Sequence, residues 1–162
     1  PHVADVYAEA RRAWKESALA ARIKPGMSIA VGCGSRGIKH HGVLAKATVD
    51  ALLDLGAKPF VVAAMGSHGG ATPDGQRSLL AHYHIDETHL GVPVKTDMDV
   101  ERVGTNSGGE PVWWDRNALG ADGVVTVSRI KPHTDFRGDF ESGILKMLVI
   151  GLGKRHGADQ HH

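Results

Sequence analysis

The stretch PFVVAAMGSHGGATPDGQRSLLAH, residues 59–82, decides the fold. Residues 59–65 form an apolar run too short for a buried helix and flanked by turn formers, which predicts a buried strand. Gly66-Ser67-His68-Gly69-Gly70-Ala71-Thr72 follows as a flexible loop. Pro73 then opens an amphipathic pattern over 73–82, and proline is well suited to the first turn of a helix. Strand, glycine-rich loop and helix make half of a βαβ unit.

The same grammar recurs on both sides of this stretch. Residues 28–32 read as a short buried strand, and 41–55 as a helix with Leu44, Ala47, Ala51, Leu52 and Leu55 on one face and Gly56 as its stop. Residues 123–127 read as a later strand. Strands alternating with helices predict a mainly parallel sheet with helices on both faces, a Rossmann-like α/β domain. Before this unit, Val3, Val6, Tyr7, Ala10, Trp14, Ala18 and Ala21 recur at helical spacing over 3–23, closed by Pro25-Gly26, and predict a helix packed on the sheet. Residues 93–96, 101–103 and 111–114 read as short edge strands, with a hairpin turn at Asn106-Ser107-Gly108-Gly109. Residues 140–152 carry Ile144, Leu145, Leu148 and Val149 as a helical stripe, interrupted by Gly151 and Gly153.

Length and composition narrow the function. The 162 residues, 41% of them hydrophobic, suit one domain with its own core. Lys plus Arg number 19 against 18 Asp plus Glu, far from the basic excess of a nucleic-acid binder. No run reaches the roughly 18 apolar residues of a membrane span, and residues 3–24 lack the apolar core of a signal peptide. A cytoplasmic protein is expected, with neither nucleic acid nor membrane as partner. Cys33 is the single cysteine, which excludes an internal disulfide and fits a small packing residue. Eleven histidines are an unusual supply of imidazole. The pairs His40-His41 and His82-His84 are expected on exposed helix ends.

Ligands of open parallel sheets sit beyond the carboxyl ends of the strands. Three loops fall there: Gly32-Cys33-Gly34-Ser35-Arg36-Gly37, Gly66 to Thr72, and Ser128-Arg129-Ile130-Lys131-Pro132-His133-Thr134. Any one glycine-rich turn can be empty of ligand, but Arg36, His68 and His133 would all converge on one edge. Lys146 falls on the apolar stripe of 140–152. Its amine either snorkels to the surface or is used as a nucleophile or covalent anchor.

From about Ser28 onward the chain resembles the lactate racemase family that uses a nickel-pincer nucleotide. Ser35-Arg36 resembles the family's substrate-carboxylate loop, Gly66-Ser67-His68 its first catalytic histidine, and Lys131-Pro132-His133 its second. Glu141-Ser142-Gly143-Ile144-Leu145-Lys146 resembles the segment whose lysine carries the cofactor. The resemblance implies a racemase or epimerase of a 2-hydroxy acid working by hydride transfer. His68 and His133 would be catalytic, Arg36 and Ser35 substrate-binding, and Lys146 the covalent anchor. Gly66, Ser67, Gly69, Gly70, Ser142 and Gly143 would line the cofactor, and His162 would ligate nickel. It further implies that residues 1–162 are the N-terminal, cofactor-anchoring domain of a two-domain enzyme whose C-terminal domain is absent from this chain. A homo-oligomer is compatible with the resemblance.

Cys33 stands where lactate-acting members carry an acid, and Gly69-Gly70 where they carry Arg-Pro. A glycine-opened pocket suits a larger, more hydroxylated acid such as a sugar acid. Two other classes compete. One is a non-catalytic module in which the glycine loops hold a phosphate or carboxylate. The other is a zinc hydrolase, which the chain's lack of a His-Glu-x-x-His spacing disfavours.

Overall fold

The computed structural model describes residues 3–35, 37–129 and 143–161. Helix α1, Val6–Glu16, starts where the Asp5 side chain accepts from Ala8 N, and is followed by a short 3-10 turn, Ala20–Arg22. Strand β1, Ser28–Cys33, leads through the first loop into α2, His41–Asp54. Then come β2, Lys58–Ala63, helix α3, Pro73–His82, and the short α4, Glu87–Leu90. Strands β3, Val94–Lys95, β4, Val100–Thr105, and β5, Pro111–Asp115, precede α5, Arg116–Leu119, and β6, Gly123–Val127. The last described segment holds α6, Ile144–Lys146, a π-helix over Met147–Gly151, and α7, Lys154–His161.

Four strands form one parallel sheet in the order β3-β2-β1-β6. Successive side chains of a strand point to opposite faces, and the core divides accordingly. Ile29, Val31 and Cys33 of β1 join Val61 and Ala63 of β2 on one face, beneath Ala45, Val49 and Leu52 of α2, Leu80 of α3 and Leu90 of α4. Ala30 and Val62 face the other way, against Ala118 of α5 and Leu152, with Trp114, Met147 and Leu148 alongside. Helices cover both faces, as the alternating pattern predicts.

Several expectations are corrected in detail. The N-terminal helix ends at Glu16, where Ser17 N bonds back to Trp14 O, and it packs on α2 instead of the sheet. Tyr7 Oη donates to Asp50 and Trp14 Nε1 to Thr48, both on α2. Of the three short segments, only the first joins the parallel sheet, as edge strand β3. The other two make a separate antiparallel ribbon, β4-β5, around the expected turn. There the Asn106 side-chain oxygen accepts from Gly108 N and Glu110 N, an Asx-type closure. Within the stretch expected as one helix over 140–152, the described residues divide into α6 and the π-helix, followed by a separate α7. No helix among the described residues is long and apolar enough to cross a membrane.

Candidate functional site

The strand order reverses direction between β1 and β6: from β1 the chain crosses to β2 and β3, then returns to the far side of β1. In such sheets the crevice at that switch point, beyond the carboxyl ends, takes the ligand. Cys33, the last residue of β1, is in register with Val127, the last of β6. The Ser35 loop and the segment starting at Ser128 therefore leave the sheet side by side.

Ser35 is buried, and its Oγ shares a hydrogen bond with Nδ1 of His68 from the neighbouring loop. With Nδ1 protonated the ring donates to the hydroxyl, which leaves a lone pair on Nε2; with Nδ1 bare the hydroxyl donates. Either way the serine fixes the plane of the ring. The backbone of the His68 loop is held from below by Gln76, which is fully buried on α3. Its Nε2 donates to Gly66 O at 2.9 Å and to His68 O at 3.1 Å. Gly69 has a φ of +66°, and a Cβ there would lie 2.6 Å from the Gly75 carbonyl carbon. Only glycine satisfies both demands.

The segment after Lys146 closes over this edge. A Cβ on Gly34 would lie 3.5 Å from the Met147 sulfur, and one on Gly151 would lie 2.7 Å from Ala64 O, so the π-helix rests directly on the strand ends. Gly66 N donates to Gly151 O at 3.2 Å. Lys146 is half-buried at the junction of α6 and the π-helix, behind Gly143, whose carbonyl accepts from Met147 N. π-turns recur at functional sites because they re-aim side chains within an otherwise regular helix. The structure thus brings Ser35, the Gly66 to Gly70 loop with Ser67 and His68, Gly143 and the Lys146 segment to one sheet edge. Arg36, His133, Ser142 and His162 lie outside the described residues.

Two further expectations concern ionisable groups. Cys33 is fully buried, and burial pushes its thiol up to about 12, so it is a packing residue and no thiolate. His40, His82 and His84 are exposed as expected, but His41 is not: it is 2% exposed at the start of α2. The cause is the glycine beside it, since Gly42 lets the helix start press against the Tyr83 carbonyl, 2.2 Å from where a Cβ would sit. Neither His41 ring nitrogen has a hydrogen-bond partner, and burial pushes the ring down to about 4.

Gln76, Asp115 and Lys154 escaped the sequence reading. The sequence drew attention to Lys146 as a lysine among apolar neighbours, yet among the described residues the fully enclosed lysine is Lys154. Its Nζ lies 2.9 Å from Asp115 Oδ2 and donates to Ala63 O at 2.7 Å. The contact with Asp115 is an ion pair without the alignment of a good hydrogen bond. A signal was present in each case, a lone polar residue in a buried register. Nothing in a single sequence separates such a residue from a solvated one.

A cavity of about 510 Å³ opens at the opposite, amino-terminal edge, lined by Ser28, Lys58, Phe60, Lys95, Arg116 and Asn117 among others. Arg116 there is already paired with Asp99 and Glu101, and Lys95 sits over the Phe60 ring. The chemistry collects at the carboxyl edge.

A parallel α/β sheet with helices on both faces, and with Ser35 and His68 hydrogen-bonded beyond its carboxyl edge, defines a domain of the doubly wound, Rossmann-like class. The family model of the lactate racemase N-terminal domain matches residues 10–162, and the chain belongs to that family. A comparison with curated proteins gives no match.

Proposed function

We propose that the chain is the cofactor-anchoring part of an enzyme that racemises or epimerises a 2-hydroxy acid. The observation that carries this reading is the junction of the Lys146 segment with the His68 loop at one sheet edge, through the Gly66 to Gly151 hydrogen bond.

The residues at that edge suit a lysine-anchored nickel-pincer nucleotide. Lys146 is half-buried, in the segment that rests on the strand ends. Ser67 is exposed, and no atom of the described residues lies within 4 Å of where a Gly70 Cβ would project, which leaves room for a flat ring against that part of the backbone. Among the described residues no cluster of three or more His, Cys, Asp or Glu side chains is arranged to hold a metal. Nickel would depend on the cofactor's own donors and on His162. When bound, the cofactor supplies an acceptor for the substrate's hydride at a pyridinium carbon.

The protein's share of the work is proton transfer and orientation. His68, with Nδ1 engaged by Ser35, takes the hydroxyl proton of the substrate at Nε2. In this reading His133 is the counterpart of His68 for the other enantiomer, taking or returning the hydroxyl proton, which makes the reaction symmetrical. Arg36 holds the carboxylate through paired hydrogen bonds. The start of α2, which no side chain caps, adds partial positive charge next to that loop. Ser35, spent on the histidine, acts on substrate through His68. With glycine at positions 69 and 70, sugar acids join lactate as candidate substrates.

The test is intact-mass measurement after co-expression with cofactor-making enzymes. A mass adduct is expected on the wild-type chain and none on Lys146→Ala. An unmodified wild-type chain overturns the reading. Binding of sugar acids or nucleotides that survives His68→Ala combined with Lys146→Ala would instead favour a non-catalytic binding module.

A further inference from the structure

Lys154 and Asp115 are 0% and 1% exposed at their side chains, a charged pair sealed inside the protein. Taking both charges out of water is costly, and apolar residues of the same size would often serve stability as well. The backbone at Lys154 is also unusual: its φ is +52°, the left-handed region that disfavours residues with a Cβ. Capping of α5 accounts for one oxygen of Asp115 but not for a lysine sealed beside it on a strained backbone, and that lysine calls for a geometric reason.

Three elements meet at the Lys154 ammonium. Ala63 ends β2, five positions before His68. Ala64 N donates to Cys33 O, so the Ala63 carbonyl, on the other side of that peptide, points away from β1. Pairing with β3 has already stopped at Val62. Lys154 Nζ takes that carbonyl instead. Asp115 ends β5; its Oδ1 accepts from Ala118 N to start α5, and its Oδ2 faces the ammonium. Its own N–H donates to Leu152 O at 2.7 Å. Lys154 opens α7, eight positions after Lys146.

We propose that Lys154 and Asp115 are positioning residues, whose buried ion pair fixes the register of the Lys146 segment against the strand that carries His68. An apolar contact at this point would allow the π-helix to slide along β2. An ammonium that donates to one carbonyl and is paired with one carboxylate does not, because the hydrogen bond fixes a direction as well as a distance and the ion pair adds a second fixed distance. The inference rests on the roles given above to Lys146 and His68, yet it concerns a different property, the alignment of two chain segments.

The experiment uses Lys154→Met combined with Asp115→Asn, which removes both charges, keeps the volume and leaves an acceptor to cap α5. Amide hydrogen exchange is followed over residues 64–68 and 147–158 in variant and wild type. The proposal expects at least about tenfold faster exchange at both segments while the α2 and α3 amides keep their protection. In the cofactor-loaded enzyme, kcat is expected to fall about 10²-fold with KM unchanged, as misplacement of groups by about an ångström produces. Wild-type protection at residues 64–68, or a uniform loss across all helices, overturns it and leaves the pair a structural contact. If the double variant does not fold, Asp115→Asn alone, which keeps the Ala63 bond and the α5 cap, is read by the same criteria. An unmodified wild-type chain would sink the racemase reading while the exchange data still decide the clamp.

Discussion

The two faces of the parallel sheet are held by different physics. Under α2, α3 and α4, the first face packs branched and long apolar side chains, among them Ile29, Val31, Val49, Leu52, Val61 and Leu80, all at or below 1% exposure. Among the described residues, the second face has a smaller cluster, with Ala30, Val62, Ala64, Ala118 and Leu152 as its buried members. What it lacks in apolar volume is made up by close backbone approach at Gly151, by Asp115 N to Leu152 O, and by the Lys154 pair. Apolar packing is non-directional and tolerates small displacements, whereas a hydrogen-bonded charge does not. The face built for exact placement is the one that carries the Lys146 segment.

The contrast can be broken from the second face first. Lys154→Met leaves Asp115 as a buried charge without its partner and should cost about 3–5 kcal/mol in urea unfolding. Adding Asp115→Asn should recover most of it. If the single and double variants are equally destabilised, the second face depends on side-chain shape instead of charge. On the first face, Leu52→Ala should cost about 2–5 kcal/mol through lost burial and the cavity left behind. No neighbouring substitution of comparable size is expected to rescue it polar for polar.

His41 sharpens the comparison, because it is a titratable group on the side otherwise held by apolar packing. Its ring is held down to about 4 against an ordinary value of 6.5, so the unfolded chain binds a proton that the folded one refuses. Its contribution is fully present above pH 6.5 and is lost as pH falls toward 4, at about 1.4 kcal/mol per pH unit and about 3 kcal/mol in all. His41→Leu should flatten the stability profile in that window. A variant whose acid slope matches the wild type would show that the ring is solvated in solution. The smallest effect belongs to Thr72→Ala. Thr72 Oγ1 accepts from Gly75 N and donates to Gly69 O, so its loss should cost about 1 kcal/mol in stability and loosen the His68 loop.

Where local rules governed, the sequence was legible. Helix α3 and strand β6 fall on the residues that pattern and turn chemistry predict, because Pro73 and the flanking glycines leave few alternatives. The edge loops with Ser35 and His68 followed from the strand assignment, and Lys146 stood out as a lysine on an apolar helical stripe. Tertiary contact decided the rest. The burial of His41 depends on a distant carbonyl at Tyr83, and the break after Gly151 depends on Ala64 O pressing against that glycine. Similarly, α1 has the amphipathic spacing of a sheet-packing helix, but α2 already covers the sheet and takes the contact. Gln76 sits one helical turn before Leu80 in the same buried row, and only the fold reveals that its amide faces carbonyls instead of solvent.

The long reach of the Lys154 contact, 91 positions back to Ala63, also bears on how the domain comes together. The helices α2, α3 and α4 follow closely on the strands they cover, so that layer closes through short loops at small entropic expense. The other layer waits for residues 147–158 to emerge from the ribosome and travel back to β2. Loop-closure entropy therefore favours the α2–α4 layer closing first, with the edge that gathers Ser35, His68 and the Lys146 segment completed after it.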